Sequence, residues 1–230
     1  MSKILASIKD LSEAKILMDT EIDIIDLKDP SNGALGRLKK NDIEIIVNFI
    51  NKKKLTSSTV GDLPNDKELI SKNVNEISLT NVDFIKIGVY NNDYIKTLCN
   101  IKSSKKLIAV FFADRFLPTK DEIRDLKNSG FSGVMVDTSN KKSGNLFNHV
   151  TYSQINNFLT VAKNIKLLTG IAGSINKTHI GEIIKLNPNY MGFRGALCEN
   201  NTIRSSNISV INVNSIIKLV KDYKSIPISA

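Results

Sequence analysis

Cysteine is nearly absent: only Cys99 and Cys198 occur in 230 residues. A disulfide framework needs several paired cysteines and a zinc site needs closely spaced ones, so neither organises this chain. No apolar stretch approaches the roughly 18 residues needed to cross a bilayer. The opening segment, M-S-K-I-L-A-S-I-K-D, has too short an apolar core for a secretory signal and carries charge on both sides. A cytoplasmic location with no membrane partner is expected. Tryptophan is missing and aromatic residues make up 6%, which leaves little for stacking on unpaired bases.

What the chain has in excess is positive charge, 32 Lys and Arg against 23 Asp and Glu, a net +9. Such a balance invites a nucleic-acid reading. The lysines, however, are spread along the whole chain with many Asn and Ile, the mark of a compositional bias rather than a binding stripe. The clusters Lys52–Lys54 and Lys102–Lys106 fall where helices are expected to end, and cations are favourable there anyway. No nucleic-acid partner is expected. The sequence is compatible with a homo-oligomer and does not specify one.

The stretch Ile22–Pro30, I-D-I-I-D-L-K-D-P, organises the rest. A short apolar run rich in β-branched residues and closed by proline reads as a buried strand. Alternation along a strand puts Ile24, Asp26 and Lys28 on one face and Ile25 and Leu27 on the other. An acid and an amine therefore leave a buried strand on the same side. Buried charges are costly unless they pair or do chemistry.

Short apolar runs alternate with longer periodic ones along the whole chain. Strands are expected at Lys3–Ile8, Ile22–Lys28, Thr56–Val60, Phe84–Val89, Lys106–Phe112, Gly133–Asp137, Ile165–Ile171 and Tyr190–Phe193. Helices fill the intervals, with Ser12 and Asp42 as expected caps and the last helix near Asn214–Tyr223. Strand–helix alternation implies parallel strands joined by right-handed crossovers. Eight such units, with no Gly-x-Gly-x-x-Gly after the first strand, predict one closed (β/α)8 TIM barrel over residues 1–230.

In such barrels chemistry sits where strands end. Parity sends Lys86 inward with Phe84 and Gly88, and Asp137 inward with Met135 and Gly133. Asp26, Lys28, Lys86 and Asp137 thus point into one mouth, with Lys141 close behind. Crowded lysines disfavour the ammonium form and free an amine to attack a carbonyl, while the carboxylates move protons. Spacing leaves open which lysine would form the imine. The loops after strands seven and eight, Ala172–Ile175 and Gly192–Ala196, suit phosphate, with Gly173, Ser174, Arg194 and Gly195 as its expected partners.

Together D-I-I-D-L-K-D-P, G-A-L-G, Ser57–Pro64, Phe84–Tyr90, Ala113-Asp114, Asp137-Thr138 with Lys141, Leu146-Phe147, Ala172–Ile175 and Gly192–Cys198 resemble the (5-formylfuran-3-yl)methyl phosphate synthases of methanofuran biosynthesis. That resemblance runs from Ala6 to Cys198. It implies a (β/α)8 barrel that condenses two glyceraldehyde 3-phosphates into a phosphorylated furan aldehyde, as a lyase working through a lysine Schiff base. It also implies Lys28 as the imine-forming lysine, Asp26, Lys86, Asp137 and Lys141 as its acid–base set, and no metal or organic cofactor. Another Schiff-base aldolase acting on a sugar phosphate is the alternative. One departure stands out: Lys142-Ser143-Gly144 follows Lys141 where the family continues with an acid and a glycine, making Lys142 a rival for the role of Lys141. Asp62, Asp114 and Arg115 have structural readings as good as functional ones. His149 and His179 are read as surface or capping residues.

Overall fold

The computed structural model describes residues 2–225. In chain order the elements are β1 (Lys3–Ile8), α1 (Leu11–Met18), β2 (Ile24–Leu27), α2 (Lys40–Ile50), β3 (Leu55–Thr59), α3 (Lys67–Ser78), β4 (Phe84–Val89) and α4 (Asn92–Leu98). There follow β5 (Lys106–Phe112), α5 (Lys120–Asn128), β6 (Gly133–Asp137), α6 (Tyr152–Asn164), β7 (Leu168–Ile171), α7 (Ile180–Leu186), β8 (Tyr190–Phe193) and α8 (Val210–Ser225). The strands pair in parallel, each with the next, and β8 closes onto β1. The fold is the (β/α)8 barrel that the alternation predicts.

β1, β4 and β5 are buried on both faces, which is why these runs read as almost continuously apolar. Ile4, Ala6 and Ile8 of β1, and Ile85, Ile87 and Val89 of β4, face outward into the layer shared with the helices. Leu5, Ile24, Ile108, Val110, Phe112, Met135 and Tyr190 face inward and fill the barrel. The helices turn apolar stripes to the same outer layer, as with Ile43, Ile46, Val47 and Ile50 of α2.

Local chemistry moved several boundaries. Asp10, not Ser12, caps α1: its carboxylate accepts from the Glu13 N–H at 2.9 Å, and the Ser12 hydroxyl donates to the same oxygen at 2.5 Å. Asp42 lies inside the first turn of α2, where its charge suits the helix dipole, and Lys39 occupies the cap position. β7 begins at Leu168 rather than Ile165, because Lys166 takes a left-handed conformation (φ 58°) and Leu167 N–H still bonds back to Ala162. α8 begins at Val210 rather than Asn214, with Ser209 Oγ accepting from Asn212 N–H at 3.4 Å.

Gly170 shows how tightly the barrel floor is filled. A Cβ there would lie 2.3 Å from Cζ of Tyr190 and 2.7 Å from its hydroxyl. The two residues are paired across β7 and β8, so a methyl on Gly170 would have to displace the Tyr190 ring. Gly170→Ala is expected to cost about 1–3 kcal/mol, the usual penalty for overpacking. Urea denaturation would read it, and an unchanged midpoint would mean that Tyr190 has room to move.

Candidate active site

A cavity of about 450 Å³ opens at the carboxyl ends of the strands, and Lys28, Lys86, Asp137, Lys141 and Arg204 line it. Two ion pairs stand in it. Asp26 at the end of β2 is fully buried and meets Lys86 Nζ of β4 at 2.7 Å. Its other contacts are hydroxyls from the neighbouring strands: Ser7 donates at 2.9 Å and Ser57 at 2.5 Å. Strand register supplies this arrangement, since Asp26 lies opposite Ser7 on one side and Ser57 on the other. Burial alone would raise the Asp26 carboxyl. The Lys86 and Lys28 charges and the hydroxyl bonds outweigh it and hold the group below the usual carboxylate range.

The second pair forms at the end of β6. Lys141 Nζ donates to Asp137 Oδ1, and the same oxygen accepts the Thr138 N–H at 2.7 Å. Lys141 also reaches the Thr138 hydroxyl at 3.2 Å. Against the cost of burial, the Lys141 and Lys28 charges hold the Asp137 carboxyl low. Burial pushes the Lys141 ammonium down, with Asp137 opposing. Lys142 is exposed and does not line the cavity. The rivalry that the sequence suggests does not arise.

Lys28 differs from both other lysines. It lies just past β2 and is 5% exposed. Among the described residues its Nζ has no hydrogen-bond or ion-pair partner, since Asp26 is held by Lys86 and Asp137 by Lys141. Burial is the main force on it. The Arg204 and Lys86 cations add to burial and Asp137 and Asp26 oppose it, leaving the amine pushed down to about 7. A neutral amine close to two carboxylates can attack a carbonyl.

Arg194 departs from expectation. All five of its N–H groups are engaged. Nε donates to Arg204 O at 2.7 Å; Nη1 donates to Glu13 Oε2 at 2.5 Å and Ser7 O at 3.1 Å; Nη2 donates to Glu13 Oε1 at 3.1 Å and Ser206 O at 2.9 Å. The guanidinium has no donor left for a phosphate. It instead fastens the segment 199–209 to β1 and α1. All four expected residues, Gly173, Ser174, Arg194 and Gly195, nevertheless line the cavity. Gly173 (φ 102°) and Ser174 (φ 51°) turn the backbone sharply there.

Arg204 is the residue that the sequence reading missed. It sits in the loop before α8, half-buried, on the cavity wall. The signal was present, for this loop follows the eighth strand, but the nearer arginine drew the assignment. Elsewhere at the mouth the acids turn out to be fasteners. Asp62 accepts from the N–H groups of Ala34 and Leu35 at 2.6 and 3.0 Å and from the Tyr90 hydroxyl. Asp114 accepts from Ser139 and Asn140 N–H, both at 2.7 Å, and does not pair with Arg115. Arg115 instead covers the Tyr90 ring. His179 Nδ1 accepts from Asn176 N–H at 3.0 Å, a capping contact.

Residues 4–217 match the sequence profile of a family described as 4-HFC-P synthase. The (5-formylfuran-3-yl)methyl phosphate synthase of Methanococcus aeolicus is 28% identical over 231 residues, covering 94% of this chain and 98% of its own. The enzyme of that name from Archaeoglobus fulgidus is 29% identical over 213 residues, 86% of this chain and 91% of its own. A Methylorubrum extorquens protein given the name provisionally is 32% identical over 197 residues, 85% and 82% of the two chains. Among solved structures, phosphoribosyl anthranilate isomerase from Thermotoga maritima superimposes with a TM-score of 0.70 at 12% identity, over 96% of this chain and 100% of that one. For 3-hexulose-6-phosphate synthase from Salmonella typhimurium the TM-score is 0.67 at 14% identity, over 96% and 99%. Identities this low speak for the fold alone.

Proposed function

The chain belongs to the 4-HFC-P synthase family, and on that premise we propose that it condenses two glyceraldehyde 3-phosphates into 4-(hydroxymethyl)-2-furancarboxaldehyde phosphate, as a step of methanofuran biosynthesis. The reaction balances as two triose phosphates giving one furan aldehyde phosphate, one phosphate and two waters. Lys28 is the imine-forming residue. What supports this choice is that Lys28 is the cavity lysine whose amine is unpaired among the described residues and pushed down to about 7.

The neutral Lys28 amine adds to the aldehyde carbon of the first substrate, giving a carbinolamine. Loss of its hydroxyl as water, with a proton from the Asp137–Lys141 pair, leaves an iminium. Positive nitrogen acidifies the neighbouring carbon, and a carboxylate takes that proton to give the enamine. Enamine carbon then bonds to the second aldehyde. Elimination of phosphate, attack of a hydroxyl on a carbonyl and loss of two waters close the aromatic ring, and hydrolysis of the imine, which consumes the water released when it formed, frees the Lys28 amine and the product aldehyde. The fixed pairs Asp26–Lys86 and Asp137–Lys141 carry the protons and balance the charge that appears on nitrogen.

The direct test is incubation with glyceraldehyde 3-phosphate alone, with products read by mass spectrometry. Appearance of the phosphorylated furan aldehyde is the expected result. A borohydride-trapped lysine adduct with no furan would reassign the protein to the Schiff-base aldolases. With neither product nor adduct from folded protein, the imine chemistry itself is excluded.

A further inference from the structure

We propose that Arg204 is the cation that binds the substrate phosphate, closing a cradle of peptide N–H groups from the loops after β7 and β8. The inference rests on the reading that a phosphorylated compound enters this cavity. It replaces the arginine that sequence position favours with one ten residues later.

Three observations carry it. First, the guanidinium of Arg204 has no hydrogen-bond or ion-pair partner among the described residues, although it is half-buried on the cavity wall. The two carboxylates that influence it are occupied elsewhere: Asp137 accepts from Lys141 and Thr138, and Asp62 from Ala34, Leu35 and Tyr90. An arginine drawn out of water without a partner is costly unless a ligand supplies the partner.

Second, its backbone is fixed from behind. Arg194 holds the Arg204 carbonyl at 2.7 Å and the Ser206 carbonyl at 2.9 Å, and is itself locked by Glu13. The Cys198 thiol donates weakly to the same Arg204 carbonyl at 3.7 Å. A segment tied down at this point, yet carrying a guanidinium that bonds to nothing, is built to present that group.

Third, the loops after β7 and β8 carry donors without acceptors, and one of them adjoins Arg204: a Cβ on Gly195 would lie 3.8 Å from Arg204 Cγ. Among the described residues the N–H groups of Gly173, Ser174, Ile175, Gly195 and Ala196 bond to no protein oxygen, while all five residues line the cavity. Gly173 and Ile175 are buried, where an unpaired N–H is rare. At Gly173 (φ 102°) the left-handed backbone, with a Cβ that would meet Thr138 and Leu146 at 3.2 Å, favours glycine in this turn. Peptide donors together with a planar fork of N–H groups on one cavity match a tetrahedral dianion, which offers acceptors in every direction. A carboxylate would leave most of these donors idle.

The experiment is calorimetric titration of the full chain with inorganic phosphate. Arg204→Gln is expected to weaken binding by roughly tenfold to a hundredfold, the range for losing a charge-assisted contact. Arg204→Lys should fall between the two, retaining charge without the fork. Arg124→Gln, which removes an exposed arginine paired with Asp121, should bind as the unaltered protein does. Unchanged affinity in Arg204→Gln overturns the proposal, and so does an unaltered protein that fails to bind millimolar phosphate. Because the side chain of Arg204 bonds to nothing, its replacement leaves the fold intact, and circular dichroism would verify that. The titration needs no turnover. Absence of the furan product together with a phosphate affinity that depends on Arg204 would therefore sink the synthase reading and leave this one standing.

Discussion

Lys28→Ala is expected to abolish furan formation, with residual rates at least a thousandfold down, because an imine cannot form without its amine. The same substitution should remove the adduct trapped by borohydride in the presence of glyceraldehyde 3-phosphate. Lys86→Ala and Lys141→Ala should slow the reaction yet still give an adduct on Lys28. An adduct that survives in Lys28→Ala would move the imine to another lysine.

The pH dependence follows from the same environment. The amine titrates near pH 7, so the rate of trapping should climb from pH 6 to 8 and level off above. Stability should move with it, in a direction that can be worked out. In the folded protein the Lys28 ammonium is disfavoured, whereas in the unfolded chain the group titrates near 10.4. Lys28 therefore weighs against folding fully below pH 7. That burden shrinks as pH rises and disappears above the unfolded value. Lys28→Met should accordingly be more stable than the parent at pH 7, by on the order of 3 kcal/mol. Its advantage should fade towards pH 10.5. Equal stability at pH 7 would mean that the amine is better solvated than its burial implies. A site residue that opposes folding is what a strained active site predicts.

The largest structural effect should come from Glu13→Ala. Glu13 and Arg194 are each almost fully buried, at 1% and 3% side-chain exposure. Removing the carboxylate strands a guanidinium that has lost two of its five acceptors, at 2.5 and 3.1 Å. Loss of one partner of a buried pair costs about 3–5 kcal/mol. Urea denaturation would measure it, and a loss below about 1 kcal/mol would show that water reaches the site. Replacing both partners together, Glu13→Leu with Arg194→Met, should recover much of the stability, because an apolar pair leaves no charge unsatisfied. It should not recover phosphate binding, since Arg194 also holds the carbonyls of Arg204 and Ser206.

Reading the chain as strands gave the right inward face wherever burial forced the pattern. Phe84 and Lys86 alternate with Ile85 and Ile87, and Met135 and Asp137 with Val134 and Val136. On a strand covered on both sides, each polar residue that faces inward must be explained by chemistry or by a partner, and that argument needs only neighbours in sequence. Helix starts were less legible. Ser12 and Asp10 are both good caps, and only the backbone geometry at Asp10, φ −157°, gave it the role.

The loops after β7 and β8 are legible only in part. Glycines at the ends of β7 and β8 mark tight turns and donors, and both features are written locally. Whether an arginine is free depends on what else it can reach. Arg194 meets Glu13 from 181 positions away, and Ser7 from 187. No spacing rule links them, because the barrel closes β8 onto β1 only in three dimensions. The barrel, its inward acids and lysines, and the glycine turns after β7 and β8 were legible in the chain, since hydrophobic period and turn chemistry are local properties. Partners far apart in the chain settle the rest: among the described residues Lys28 stands unpaired beside two closed ion pairs, and every Arg194 donor is taken while the Arg204 guanidinium has no partner. Hydrogen-bonding capacity is finite, and how it is divided depends on partners that folding alone brings together.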